Sequence, residues 1–291
     1  MTQEGPLSGQ QVANKYRLGE LLGSGGMGAV YKAHDTRLNR PVAMKVMRPA
    51  NPVSTSELQD YTKRFQEEAL RLASLKHRGI PHIYEYFEEA GYWFLVMEFI
   101  EGETLKDSLE RHGGRLPVDE VLKIGLQLAD VLNYLHTPLP NKPPIIFRDL
   151  KPANVMIAPD SQVYLIDFGI ARLFAPGKSQ DTFVALSQGY GAPEQHGTAQ
   201  TTVRSDIYSL GATLHHLLSG THSATSPFLF ASLPIQQPPQ LAALIAHMVA
   251  IDTAHRPVSM AEVKEALQRM IDQTAAAAPP NQCCTSADHS G

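Results

Sequence analysis

Along the first hundred residues apolar and polar positions alternate at period two, interrupted once by a stretch at helical spacing; beyond Gly102 the helical spacing takes over. Residues 16–34, "YRLGELLGSGGMGAVYKAH", read as strand, glycine turn, strand, with Val30 and Lys32 on one face. "RPVAMKVM" follows as a strand that puts Ala43, Lys45 and Met47 on a common face. From Ser56 to Leu75 the pattern is a helix, because Leu58, Tyr61, Phe65, Leu72 and Leu75 recur at spacings of three, four and seven. "IPHIYEYFEEAGYWFLVMEFI" then gives two strands around Glu89–Gly91. The prediction is a small first lobe, residues 15–97, of five antiparallel strands and one helix.

After a connection at 98–102, residues 103–272 predict a larger, mainly α-helical lobe, so the fold class is α+β with a cleft between two lobes. Residues 118–136 carry Val121, Leu128, Leu132 and Leu135 on one stripe. "SDIYSLGATLHHLLSG" is a helix that stops at Gly220, where a residue without a Cβ closes the last turn. "PQLAALIAHMVA" and "MAEVKEALQRMI" supply two more helices. Residues 1–14 predict an N-terminal tail, and residues 273–291 a frayed helix end running into a disordered tail.

Composition excludes several function classes without changing this outline. The 291 residues suffice for a sizeable core, and the net charge of −4 comes with Lys and Arg scattered, so there is no basic stripe for nucleic acid or anionic lipid. The two cysteines, Cys283 and Cys284, are adjacent in the polar tail; no disulfide framework is expected, which fits a reducing compartment such as the cytoplasm. "MTQEGPLSGQQ" lacks the charged and apolar regions of a signal peptide, and no apolar run reaches the ~18 residues of a membrane span, so the chain as given reads as soluble. None of the twelve histidines has zinc-type spacing; His215 and His216 are neighbours on a helix and diverge.

The chemistry concentrates in "FRDLKPANVMIAPDSQVYLIDFG", where Arg148, Asp149, Lys151 and Asn154 stand between apolar runs that have no use for them unless something pairs with them. Val155–Ala158 and Val163–Ile166 predict paired strands around "PDSQ"; a four-residue loop sets 158 opposite 163 and 155 opposite 166, and one step further Asn154 faces Asp167. A neutral and an anionic oxygen donor about 5 Å apart suit a hard cation such as Mg²⁺, which completes its shell with water and phosphate. Asp149, on the loop entering this mouth, is placed to orient a hydroxyl. Polar caps at strand ends account for one such residue, hardly for three. "GSGGMG" is a weaker signal: G-x-G-x-x-G also marks dinucleotide folds, and the glycines serve equally in a plain turn. Strand pattern rather than helix follows it, which favours a hairpin folding over phosphates. Lys45 points inward and needs a counter-charge; Glu68, spaced with Phe65 and Leu72 on the apolar stripe, is the expected partner, whether in a structural or a functional pair.

"GSGGMGAV", "VAMK", "RDLKPAN", "DFG" and "APE", in that order over about residues 15–272, resemble the eukaryotic-like protein kinases, most of all the bacterial Hanks-type Ser/Thr kinases. The resemblance implies an ATP cleft between the lobes and transfer of the γ-phosphoryl of Mg-ATP, with Mn²⁺ as a substitute metal, to protein Ser or Thr hydroxyls. Gly23, Gly25 and Gly28 would admit the phosphates, with Ser24 and Gly26 of the same loop and Met156 counted among the nucleotide-binding residues; Val30 and Ala43 would sandwich the adenine, and Glu98 and Ile100 would offer hinge groups beside a gatekeeper-like Met97. Lys45, positioned by Glu68, would hold the α- and β-phosphates. Asp149 would be the catalytic base, Lys151 would neutralise the γ-phosphate, and Asn154 and Asp167 would hold the metal. Glu194 would pair with Arg256, and Asp206 would brace the catalytic loop.

Three departures mark this chain within the resemblance. Ser187 replaces the usual Thr and Leu186 the usual Gly of the substrate loop, and "RPANPVSTSELQD" is longer than usual between Lys45 and Glu68. Phe147 replaces a His; it keeps a ring under Phe168 but loses a polar contact, and it motivates the alternative of a pseudokinase scaffold. Arg148, beside Asp149, implies phosphate on the activation segment 170–191 at Ser179 or Thr182, unless Asp181 meets it instead.

Overall fold

The computed structural model describes residues 5–25, 28–48, 55–139, 143–168, 189–196, 200–222, 225, 228–233 and 238–277. Gly26, Cys283, Cys284 and the activation-segment residues Ser179, Asp181, Thr182, Leu186 and Ser187 lie outside them.

The first lobe is a curled antiparallel sheet of six strands, one more than the alternation predicts. In chain order these are β1 (Gln11–Val12), β2 (Tyr16–Gly25), β3 (Gly28–Asp35), β4 (Arg40–Met47), β5 (Ile83–Glu89) and β6 (Tyr92–Glu98), in the spatial order β1-β2-β3-β4-β6-β5. The extra strand comes from the predicted tail. Two residues are too short to show a period, yet Val12 is buried against Tyr16, Leu18 and Tyr31 and pairs opposite Tyr16. Ala13 and Asn14 turn the chain in left-handed conformation, φ 49° at each. Glu89 accepts the Ala13 N–H at 2.6 Å.

The two faces of β4 divide the apolar residues as the alternation requires. Val42, Met44 and Val46 join the outer cluster with Tyr16, Leu18 and Tyr31, while Met47 joins the inner core that runs continuously into the second lobe. Helix α1 (Thr55–Ala73) lays Tyr61, Phe65, Ala69 and Leu72 into that inner core. Burying each such side chain contributes on the order of 1.5–3 kcal/mol.

The second lobe is built around α3 (Val118–His136) and α4 (Val203–Ser219), with α2 (Leu105–Arg111), α5 (Pro239–Met248) and α6 (Met260–Ala277) around them. Helix α4 starts in a capping box between Thr202 and Ser205 and ends at Gly220, φ 70°, whose N–H reaches His216 O. It is buried almost all round, as expected of a central helix. Helix α6 runs five residues past 272.

A small sheet, β7 (Glu103–Thr104), β8 (Val155–Ile157) and β9 (Val163–Leu165), lies at the boundary of the lobes. Its register corrects the predicted one. Val155 stands opposite Leu165 and Ile157 opposite Val163, so Asn154 faces Ile166, whose N–H it accepts at 3.1 Å, and not Asp167. The loop is one residue longer than "PDSQ" because Ala158 N–H bonds Gln162 O, and Ser161, at φ 66°, takes the left-handed turn that closes it. Asp160 Oδ1 satisfies the Gln162 N–H. Side-chain turn chemistry of this kind leaves no trace in a hydrophobic period. Among the described residues, no helix is long and apolar enough to cross a membrane.

Candidate active site

The catalytic-loop residues come together around one backbone strain. Arg148 has φ 68°, a conformation that costs a non-glycine residue about 1–3 kcal/mol unless its surroundings enforce it. Asp206, fully buried in the first turn of α4, does so: its two oxygens accept the N–H groups of Phe147 and Arg148, each at 2.8 Å. His136, in the last turn of α3, adds a third contact to the same carboxylate at 2.7 Å. Gln195 ties the loop from the other side, its Nε2 donating to Arg148 O at 3.2 Å while its Oε1 accepts the Ala192 N–H. Asp206 is legible in the sequence; His136 and Gln195 are not. Gln195 is adjacent to "APE", and His136 continues the buried face of α3, but neither position alone signals a polar contact.

Beyond this bend the predicted chemical residues are in mutual contact. Asn154 Nδ2 donates to Asp149 O at 2.8 Å and to Asp149 Oδ2 at 2.9 Å. Lys151 Nζ meets the same Oδ2 at 3.2 Å. With its amide nitrogen committed to Asp149, Asn154 has its Oδ1 left as a hard donor for a cation.

Across the cleft, Lys45 Nζ meets Asp167 Oδ1 at 2.7 Å. This corrects the expected Lys45–Glu68 pair. Glu68 is half-buried, with Arg71 at 3.6 Å and the Arg148 charge close enough to act on it. Burial raises its carboxyl above the ordinary value, and the two arginines only partly oppose that. Helical spacing gives the face of α1 on which Glu68 lies; it does not give the distance from that face to β4. A carboxylate from the lobe boundary reaches Lys45 first.

The described nucleotide-binding candidates lie on β2, β3, β4, β6 and β8 and on the segment after β6. Met97 pairs with Ala43, and Val30 pairs with Lys45. Met97, Lys45, Leu72, Ile83, Ile166 and Phe168 border a common recess. Glu98 N–H is committed to His82 O at 2.8 Å, which leaves the buried Ile100 as the candidate hinge donor. Met156 lies on β8 opposite Tyr164 and Thr104. In the β2–β3 hairpin Gly25 pairs with Gly28, Ser24 with Ala29 and Gly23 with Val30. These glycines are not equivalent: Gly28, at φ 137°, would drive a Cβ to 2.2 Å from Val46 O, so the fold itself demands it. A Cβ at Gly23 would meet nothing within 4 Å, so local packing does not account for that glycine.

Phe147 is buried and meets Phe168 edge to face, centroids 5.3 Å apart and planes at 90°, rather than in a parallel stack. The "APE" segment is anchored by Glu194, which forms a bidentate pair with the buried Arg256 at 2.8 and 3.0 Å. Burial alone would raise the Glu194 carboxyl; the bonds from Arg256 and from Ser205 outweigh it and hold it below the ordinary value.

Comparison with known proteins identifies the family and the fold. Residues 16–276 match the family described as protein kinase domain. A probable serine/threonine-protein kinase of Streptomyces coelicolor is 36% identical over 241 residues, which cover 79% of this chain and 34% of that protein. The serine/threonine-protein kinase PknB of Mycobacterium leprae is 37% identical over 215 residues, 72% of this chain and 33% of that one. The chain thus spans about a third of the length of these curated relatives. Among solved structures, PpkA-294 in its apo form superposes with a TM-score of 0.74 at 25% identity, covering 91% of this chain and 100% of that one. The Mycobacterium tuberculosis PknI kinase domain gives 0.69 at 29%, with 90% and 98% covered.

Proposed function

The chain belongs to the protein kinase family, and from that premise we propose that it transfers the γ-phosphoryl group of ATP to Ser and Thr hydroxyls of proteins, its own activation segment included. The observation that carries this reading is the contact set Lys151–Asp149–Asn154 on one side of the cleft and Lys45–Asp167 on the other, joined through the Ile166–Asn154 backbone bond. Every charged group that phosphoryl transfer requires is present, which speaks against the pseudokinase alternative.

The roles follow from what each group touches. Asp149 is the base that orients the acceptor hydroxyl and takes its proton; Asn154 and Lys151 hold that carboxylate in place. Lys151 also carries positive charge to the edge where the γ-phosphoryl would lie. Lys45, already desolvated, is the cation for the α- and β-phosphates. Asn154 Oδ1 and the Asp167 carboxylate form the oxygen donor set for a divalent ion, Mg²⁺ or Mn²⁺, which when bound offsets phosphate charge. Open space over Gly23 lets the β2–β3 hairpin approach the phosphates, with Ser24, Gly25 and Gly28 beside it; Val30, Ala43, Met97, Glu98, Ile100 and Met156 complete the proposed nucleotide-binding set. Residues 15–272 act as the catalytic domain, with 98–102 as hinge, in the cytoplasm. Protein substrates are the partners; nucleic acid is not.

Intact mass after incubation with Mg-ATP tests this directly. The expected result is addition of whole phosphoryl groups, and transfer to myelin basic protein but not to an aminoglycoside or choline. An unchanged mass together with no transfer to the protein acceptor would overturn the reading.

A further inference from the structure

One row of side chains crosses three strands of the first lobe: Lys32 of β3 stands opposite Ala43 of β4, and Ala43 opposite Met97 of β6. Residues directly opposite in an antiparallel pair share a face. Ala43 packs on the inner core, while Tyr31 and Ala33, on either side of Lys32, belong to the outer cluster, so Lys32 is on the cleft face. Burial falls along the row, from buried Met97 through half-buried Ala43 to exposed Lys32. Lys32 is therefore at the solvent-facing end.

Its ammonium is not simply in water. It lies over the ring of Phe99, 4.5 Å from the centroid. Phe99 is half-buried, two residues past Met97 in the connection 98–102, between the hinge candidates Glu98 and Ile100. The other cations over rings among the described residues are Lys15 on Tyr16, Arg40 on Tyr84, Arg48 on Tyr92 and Arg256 on Tyr208, and each of these stays within one lobe. The Lys32–Phe99 contact instead joins the sheet to the connection between the lobes.

That place gives the contact a use. Strand β3 leaves the glycine hairpin at Gly28 and carries Val30 on the same face as Lys32, roughly 7 Å along the strand. Backbone bonds hold β3 to β4 and β4 to β6, but β6 ends at Glu98 and this pairing goes no further. Beyond that end, an ammonium held on the negative face of a ring, with its stem laid along apolar surface, ties β3 to the connection.

We propose that Lys32 and Phe99 are a positioning pair for the nucleotide: the ammonium clamped on the ring holds β3 at a fixed height over the connection 98–102 and so sets the opening of the slot for the base. The inference rests on the phosphotransfer reading above and deepens it. Because Lys45, Asp149 and Asp167 carry the chemistry, the pair should act on KM for ATP and not on kcat.

Steady-state kinetics of the full chain with Mg-ATP and myelin basic protein test it in four variants. Lys32→Met keeps the stem and removes the charge; Phe99→Leu keeps apolar bulk and removes the ring; Lys32→Arg and Phe99→Tyr preserve cation and ring. The expected result is a rise of about three- to fivefold in KM for ATP in the first two, the size expected of an exposed cation over a ring, with kcat and acceptor KM within about 1.5-fold. The two conservative variants should keep KM for ATP within about 1.5-fold of wild type, and Lys32→Met combined with Phe99→Leu should be no worse than either alone. Unchanged KM for ATP in Lys32→Met, a loss of kcat, or a parallel rise in acceptor KM overturns the positioning role while wild-type turnover keeps the kinase reading intact. Lys32→Arg as impaired as Lys32→Met, or additive effects in the double variant, overturns the cation–ring contact as its basis. A wild type without turnover overturns the kinase reading, and this proposal with it.

Discussion

The two sides of the cleft handle charge in opposite ways. On the floor, Arg256 uses all five of its N–H donors, on Glu194 and on the carbonyls of Ala250, Arg204 and Ile251, and Asp206 receives three groups. Both residues are buried, and each partner has a fixed place. On the other side, Lys45 holds one carboxylate whose side chain is 41% exposed, and Glu68 faces Arg71 instead. A saturated buried network has one arrangement, because any other leaves an uncompensated charge. A carboxylate as exposed as Asp167 has several arrangements of similar energy, because solvent screens the differences. The floor is thus a scaffold, while the Lys45 side consists of groups that can change partners in the proposed binding of phosphate and metal.

Substitutions can break that contrast. The largest effect is expected on the floor: Arg256→Ala leaves Glu194 buried without its cation and should cost about 3–5 kcal/mol in denaturant unfolding. Phe147→Ala, which opens a hole beside Phe168, belongs with it at roughly 3–5 kcal/mol. Lys45→Met and Asp167→Asn should do the reverse. Each should lower phosphotransfer by about 10²–10³-fold, while Lys45→Met moves stability within about 1 kcal/mol because the Asp167 carboxylate it leaves behind is partly exposed. Equal stability losses for Arg256→Ala and Lys45→Met would erase the distinction between scaffold and adjustable charges.

Acid should destabilise the fold through the half-buried His216 imidazole of the second lobe. His216 has a folded value of about 4 against an ordinary 6.5, so between those values the unfolded chain binds the extra proton. Its contribution is complete above pH 6.5 and is lost as pH falls toward 4; His77, lowered by burial, acts in the same direction. Glu194, held below its ordinary value, loses its contribution only as pH drops through that lower folded value. Melting temperature followed from pH 7 to pH 4 should therefore fall, and fall less in His216→Phe; identical slopes would show that His216 is not the group responsible. The smallest effect is expected from Phe147→His. The Phe147 N–H already has its acceptor in Asp206, so turnover should change by less than about tenfold, roughly 1.4 kcal/mol in the barrier.

Much of the candidate site is legible without coordinates. Alternation alone puts Lys45 on an inward face, and Asn154 and Asp167 at the ends of two adjacent strands follow from two apolar runs around "PDSQ". Glu194–Arg256 and the Asp206 brace are legible for another reason: they belong to motif positions that the resemblance supplies. The misreadings share a cause. The Lys45–Glu68 pair follows from faces and the Asn154–Asp167 opposition from loop length, and neither quantity fixes the distance between side chains on different elements. Strand β1 was missed because two residues carry no period.

The sequence by itself determined the order of elements, the face on which each side chain lies, and the presence of every chemical group that the proposed phosphotransfer needs. Those are properties of local spacing, and a period of 2 or 3.6 records them directly. Only the tertiary structure decided which carboxylate Lys45 meets, how Ser161 shifts the β8–β9 register, and that His216 is an uncharged acceptor for Tyr190. Each of these is a competition among groups distant in sequence or alternative local bonds. The winner is set by differences of a few ångströms in packed distance and by loss of water, neither of which a linear pattern contains.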